Sequence, residues 1–215
     1  THSDHSSAAA ELSRLTGSAT YAFGPHRGKR SDSSVEEGAD FDFIPDYTMC
    51  DGDAVSENGW TITALHTPGH TSNHLCYGLK EENILFTGDH VMAWSTTVVS
   101  PPDGDMSSYM ASLQRLTLRP EHLYWPTHGD GIRNPKEYIP QLIAHRNNRE
   151  EQVLECLRKK ITTIPEMVEK MYADVPSYLH PAAQRSVLAH MIWLVDKRKV
   201  STQGKPGISS IYKTC

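Results

Sequence analysis

Thr1-His2-Ser3-Asp4-His5 crowds two imidazoles and a carboxylate into five residues. These are the donors that borderline divalent cations take, and alternating residues near a strand end point to one side, where a following turn can add another donor. Taken alone, the stretch also reads as a polar scrap with two histidines. What it means depends on the rest of the chain.

Three further stretches supply donors in order. His66-Thr67-Pro68-Gly69-His70 ends the apolar run WTITALHT (60–67). Thr87-Gly88-Asp89-His90 follows NILFT (83–87). Thr127-His128-Gly129 follows HLYWP (122–126). Each sets a His or Asp just past an apolar strand, which is where open α/β sheets build active sites. Between these runs HLCYGL (74–79) reads as another strand. MSSYMASLQRLTL (106–118) reads as an amphipathic helix through Met106, Tyr109, Met110, Leu113 and Leu116. Strands alternating with helix predict an α/β sandwich. Upstream, residues 5–17 predict a helix capped by Gly17, residues 18–23 a short strand, and residues 24–40 a loop. FDFIPDY (41–47) continues that loop with one or two short extended pieces.

After Pro135 the texture changes. A long helix is predicted over 136–160, then helices in ITTIPEMVEKMYADV (161–175) and PAAQRSVLAHMIWLVDKRKV (181–200). Two short strands flank a QGKPG turn near the end. Three helices and a hairpin predict a winged helix. The expected organisation is a catalytic unit over 1–134, a connecting helix over 135–160 and the winged helix over 161–215.

The chain of 215 residues carries a net charge of −5, unevenly distributed. Residues 145–215 hold 12 Lys and Arg against 7 Asp and Glu, leaving 9 against 19 before them. A basic end suits an anionic partner or a solvated helix. No apolar run reaches the roughly 18–20 residues of a membrane span, so no membrane partner is expected. Cys50, Cys76, Cys156 and Cys215 form no CxxC pair and read as reduced thiols of a cytoplasmic protein.

HSDH, HTPGH, TGD and THG, in this order, resemble the metallo-β-lactamase superfamily. The resemblance implies the family's αββα sandwich and two metal ions. It implies one site from His2 and His70, a second from Asp4, His5 and His128, and Asp89 bridging them. The family signature also implies one more histidine immediately before Thr1 and strands upstream, so the sequence reads as part of a longer protein. Where many members have Gly-His-Gly, this chain has Thr127-His128-Gly129. The family's di-iron branch has a glutamate where His2 stands, so two zinc ions are expected, with manganese and iron open as alternatives. The implied chemistry is hydrolysis by a hydroxide held between two cations, with Asp4 and Asp89 orienting the water. His90 is expected to line the site as proton donor, His66 to fix its loop and His74 to be structural. His145 and Arg146 are read as helix surface, or as reaching a phosphate.

Only 38 residues lie between Asp89 and His128, which leaves no room for the extra domain of the family's cleavage-factor RNA-processing members. The tail and TTVVSPPDGDMSSYMASLQRL (96–116) resemble the β-lactamase-like protein 2 group. That resemblance implies an endoribonuclease acting on single-stranded RNA, gripped by Arg158, Lys159, Lys160 and the run Lys197-Arg198-Lys199. Arg27, Lys29 and Arg30 are expected at the cleft border. The alternative is a thioester hydrolase of glyoxalase II type, or one acting on acyl carriers or acyl-CoA. A third reading is a non-catalytic winged-helix nucleic-acid binder. The winged helix is also a candidate dimer surface.

Overall fold

The computed structural model describes residues 1–26 and 38–215. Arg27, Lys29 and Arg30, expected at the cleft border, lie outside the described residues.

The chain opens with helix α1 (Ser3–Ser6) and helix α2 (Ala9–Thr16), which Gly17 ends at φ +72°. Strand β1 (Tyr21–Ala22) pairs in parallel with β2 (Tyr47–Thr48). The central sheet then forms from β3 (Ala54–Glu57), β4 (Trp60–His66), β5 (Leu75–Leu79), β6 (Ile84–Gly88) and β7 (Leu123–Pro126), in that spatial order. Neighbours are antiparallel up to the β5–β6 pair, whereas β6 and β7 are parallel. A parallel pair needs a crossover. Residues 89–122 supply it, including helix α3 (Met106–Thr117).

This topology positions the site. Strands β4, β6 and β7 run in one direction, so their C-terminal ends share one edge of the sheet. The residues that follow them, through His70, Asp89 and His128, emerge there together.

Period-2 alternation decides which face α3 covers. Leu65 pairs with Cys76, and Leu85 with Tyr124. All four pack with Met106, Tyr109, Met110, Leu113 and Leu116 of α3 in the main core. Those five recur at helical spacing, and Asp105 caps the helix by accepting the Ser108 N–H at 2.7 Å. The other face carries the ladder Ala64, Tyr77, Phe86 and Trp125. Phe23 and Met49 cover its start, while Phe86 and Trp125 stay 39% and 51% exposed.

Helix α4 (Pro135–Arg158) links two cores. Ile139 and Leu142 join the sheet core; Val153, Cys156 and Leu157 join a second cluster. That second cluster holds α5 (Ile164–Met171), α6 (His180–Asp196) and the hairpin of β8 (Val200–Thr202) and β9 (Tyr212–Thr214). Helix α6 also serves both cores, through Ala189 and Trp193 on one side and Val187 and Met191 on the other. The winged helix is therefore packed onto the sheet unit rather than tethered beside it. All four cysteines are free; Cys76 and Cys156 are buried. Among the described residues no helix is long and apolar enough to cross a membrane.

Candidate metal centre

The six residues expected as ligands converge at the sheet edge. One donor atom each from Asp4, His5, Asp89 and His128 lies within 4.8 Å of the others, and so do those of His2, His70 and Asp89. Asp89 is the member common to both groups. His5 Nε2 is 2.9 Å from Asp89 Oδ2 and 3.5 Å from Asp4 Oδ1. His128 Nε2 is 3.3 Å from Asp4 Oδ2 and 3.4 Å from Asp89 Oδ1. On the other side, His70 Nε2 is 3.6 Å from Asp89 Oδ2 and 3.2 Å from His2 Nδ1.

The first ligand stretch differs from its expected extended form. Only His2 is extended, at φ −115°; residues 3–6 make one helical turn. Ser6 holds that turn by donating to the His2 carbonyl at 2.9 Å and to Asp40. A turn of helix brings Asp4 and His5 to the same side through rotation, a route that local alternation does not reveal.

Neighbouring groups aim the ligands. His70 Nδ1–H donates to the Val98 carbonyl at 2.7 Å, which fixes the tautomer and leaves the Nε2 lone pair facing the cluster. Thr127 donates to Asp89 Oδ1 at 2.5 Å, so the departure from Gly-His-Gly supplies a donor to the shared carboxylate. Burial works to raise the Asp89 pKa, but hydrogen bonds from His5 and Thr127 outweigh it and hold the carboxyl well below the usual range. The hydrogen bond to Asp89 raises His5 against the opposing effect of burial. Desolvation lowers His70. An ionised carboxylate shared among four imidazoles is a donor set that fits cations, which bind as the ring nitrogens facing them give up their protons.

His90 is corrected. It is fully buried, lying 5.6 Å from the His74 ring and 4.8 Å from the Tyr109 ring. Burial pushes its pKa down to about 3. It packs behind the centre, so it cannot line the cleft as proton donor. His66 fixes its loop by donating to the Ser72 carbonyl at 3.0 Å, and its ring stacks on Phe23. His74 is tied by its Nδ1 to the Thr67 hydroxyl at 2.9 Å. It occupies the space beside Gly88, where a Cβ would meet its Nε2 at 2.7 Å.

The centre opens on a cleft of ≈ 830 Å³ whose opposite wall comes from α4, α6 and the segment between them. Arg146 is not surface: it is buried, donates to the Thr97 carbonyl and lies over the Tyr109 ring. Arg149 and Arg185 also line the cleft. No local pattern points to these two, because they lie 36 positions apart on different helices.

Residues 1–128 match the model of the metallo-beta-lactamase superfamily, and residues 163–208 match that of the beta-lactamase associated winged helix domain. The chain belongs to the metallo-beta-lactamase superfamily. Members of this superfamily are generally hydrolytic metalloenzymes that bind two metal ions. Among curated relatives, Lactamase-like protein adaB of Aspergillus niger is 34% identical over 171 residues, covering 73% of this chain and 52% of that protein. The Atrochrysone carboxyl ACP thioesterase of Aspergillus fumigatus is 34% identical over 141 residues, covering 60% of this chain and 44% of that protein. The chain thus spans about half the length of the curated relatives it matches. A metallo-beta-lactamase family protein from Thermus thermophilus has the same fold, with a TM-score of 0.70 at 22% identity, covering 88% of this chain and 60% of that one.

Proposed function

We propose that this chain carries the metal-dependent centre of a thioester hydrolase acting on acyl groups bound to a carrier. The observation that carries this reading is the cleft itself: the ligand cluster stands at one end, and the winged helix closes the other side. A thioester on a long, flexible arm fits such a lined slot. The thioesterase relative supports the same choice.

Two features favour this over RNA. Helix α6, which would enter a nucleic-acid groove in a DNA-reading winged helix, turns Ala182, Arg185 and Ser186 into the cleft. The cations expected to grip RNA are mostly engaged. Arg158 pairs with Glu151 at 2.7 Å, and Lys159 with Glu155. Lys197 and Lys199 converge on Glu150 at 3.0 and 2.7 Å.

In this reading His2, His70 and Asp89 would hold one cation, and Asp4, His5 and His128, again with Asp89, would hold the second; we assign zinc from the imidazole and carboxylate donors. Such cations supply Lewis acidity, bringing a water near neutrality in pKa and offsetting charge on a carbonyl oxygen. The chain's own residues do the rest. Thr127 keeps Asp89 ionised and oriented, Val98 holds the His70 ring, and Asp4, 56% exposed at its side chain, orients and accepts a proton from the attacking water. Water adds to the thioester carbonyl as Asp4 takes its proton, the carbon–sulfur bond breaks to leave the acid, and Asp4 returns that proton to the departing sulfur, which leaves as the thiol. The test is elemental analysis beside turnover of an acyl thioester by the full-length protein and by Asp89→Asn. The expected result is close to two metal ions per chain and turnover lost in the variant. A metal-free protein, or turnover unaffected by Asp89→Asn, contradicts the proposal.

A further inference from the structure

The sequence's basic C-terminal third finds its structural expression on the inner wall of the cleft. Among the described residues, the charged side chains lining the cleft away from the ligand cluster are Arg146, Arg149 and Arg185, with His145 beside them, and the carboxylates lining it are Asp4 and Asp89. Among the described residues none of the three arginines has a carboxylate partner. Four basic residues of the tail outside the cleft, Arg158, Lys159, Lys197 and Lys199, do pair with carboxylates, those of Glu150, Glu151 and Glu155.

Two of the three guanidiniums are held in place by neutral groups. Arg146, 3% exposed, donates to the Thr97 carbonyl and keeps an Nε with no partner. Arg149 lies over the Tyr172 ring at 4.5 Å and donates to Gln152 Oε1 at 2.8 Å. Partners of this kind orient a guanidinium without neutralising it. Unpaired cations in a sheltered cleft focus a positive field on whatever enters. The planar fork of arginine matches the oxygens of a phosphate. Val98, Tyr172, Val175, Leu179 and Ala183 line the same cleft and add apolar wall to it. The wall is therefore charged at discrete points rather than along a continuous track.

We propose that Arg149 and Arg185, with Arg146 beneath them, form a subsite for the phosphate of a phosphopantetheine arm, the group that joins an acyl thioester to its carrier. The proposal rests on the thioesterase reading: the thioester sulfur lies at the metal end, and the apolar wall accommodates the uncharged pantetheine. A carrier protein and coenzyme A both present this phosphate. A single-stranded nucleic acid offers phosphates too, but at every residue, which suits a continuous basic track better than one cluster of three.

The test is a binding measurement that does not depend on turnover. Calorimetric titrations of the full-length protein with 4′-phosphopantetheine and with pantetheine isolate the phosphate. The expected result is at least tenfold tighter binding of the phosphorylated compound, reduced to less than threefold in Arg149→Gln/Arg185→Gln, with the variant's thermal melt confirming that it folds. Coenzyme A and a holo-carrier protein, run as competitors, distinguish the two sources of the arm. Equal affinity for the two compounds, or a preference the double variant retains, overturns the subsite even where thioester turnover is present. A phosphate preference without thioester turnover keeps the subsite and rejects the thioesterase reading. Competition by an RNA oligonucleotide stronger than that by 4′-phosphopantetheine also overturns the assignment.

Discussion

Alanine at Gly69 should unseat the loop that delivers His70. Gly69 has φ +137°, and a Cβ there would lie 2.3 Å from Tyr109 Cα and 2.5 Å from its backbone nitrogen. A methyl group cannot rotate away, and the obstacle is the backbone of α3. Gly17 is the natural control, because it also has positive φ, at +72°, but nothing lies within 4 Å of its Cβ position. Alanine there costs backbone strain only, about 1–2 kcal/mol. At Gly69 strain of about 1–3 kcal/mol combines with overpacking of about 1–3 kcal/mol. The total of roughly 2–6 kcal/mol compares with a usual domain stability of about 5–15 kcal/mol. Urea unfolding of wild type, Gly17→Ala and Gly69→Ala gives the comparison, with metal content measured on the same samples. The expected outcome is a Gly69 variant clearly less stable than the Gly17 variant and depleted in metal. Equal stability of the two variants, with full metal in both, would refute the claim that the loop is wedged against α3.

Two further substitutions probe the core and the centre. His190 is 2% exposed, and neither ring nitrogen has a partner among the described residues; burial first, then Arg146, pushes its pKa down to about 3. Because that value is below the unfolded one near 6.5, the unfolded chain gains the proton first. This contribution to stability is complete above about pH 6.5 and declines as pH falls toward 3, by up to about 1.4 kcal/mol per unit. His190→Leu should flatten the melting temperature between pH 6.5 and 4, and an unchanged slope would contradict this. Thr127→Val removes the donor to Asp89 Oδ1. Loss of such a supporting bond should weaken metal retention about 10- to 100-fold in chelator competition, and retention equal to wild type would show that the bond is idle.

His70, Asp89 and His128 were legible because each follows a strand that the apolar pattern marks, and strands running the same way bring their ends to one edge; His2, Asp4 and His5 were legible from their crowding and from the family resemblance. Helix α3 was legible from the spacing of Met106, Tyr109, Met110, Leu113 and Leu116. Strand β3 was not, since Ala54–Glu57 is short and mostly exposed. Its signal was the turn instead: Asn58 and Gly59 both have positive φ, the Asn-Gly signature of a tight hairpin. His90 misled because a residue just past a strand end can face inward as readily as toward the cleft. The arginine wall escaped notice because it is assembled by the packing of α4 against α6, and charge counting over the tail registers the sum but not its placement.

The most direct test of the central claim offers one preparation two substrates. Full-length protein loaded with zinc meets an acyl thioester on a holo-carrier protein and, separately, labelled single-stranded RNA, each with a chelator control and with His128→Ala. The account predicts metal-dependent release of the acyl group, lost in the variant, and intact RNA. Metal-dependent RNA cleavage with an untouched thioester would contradict it.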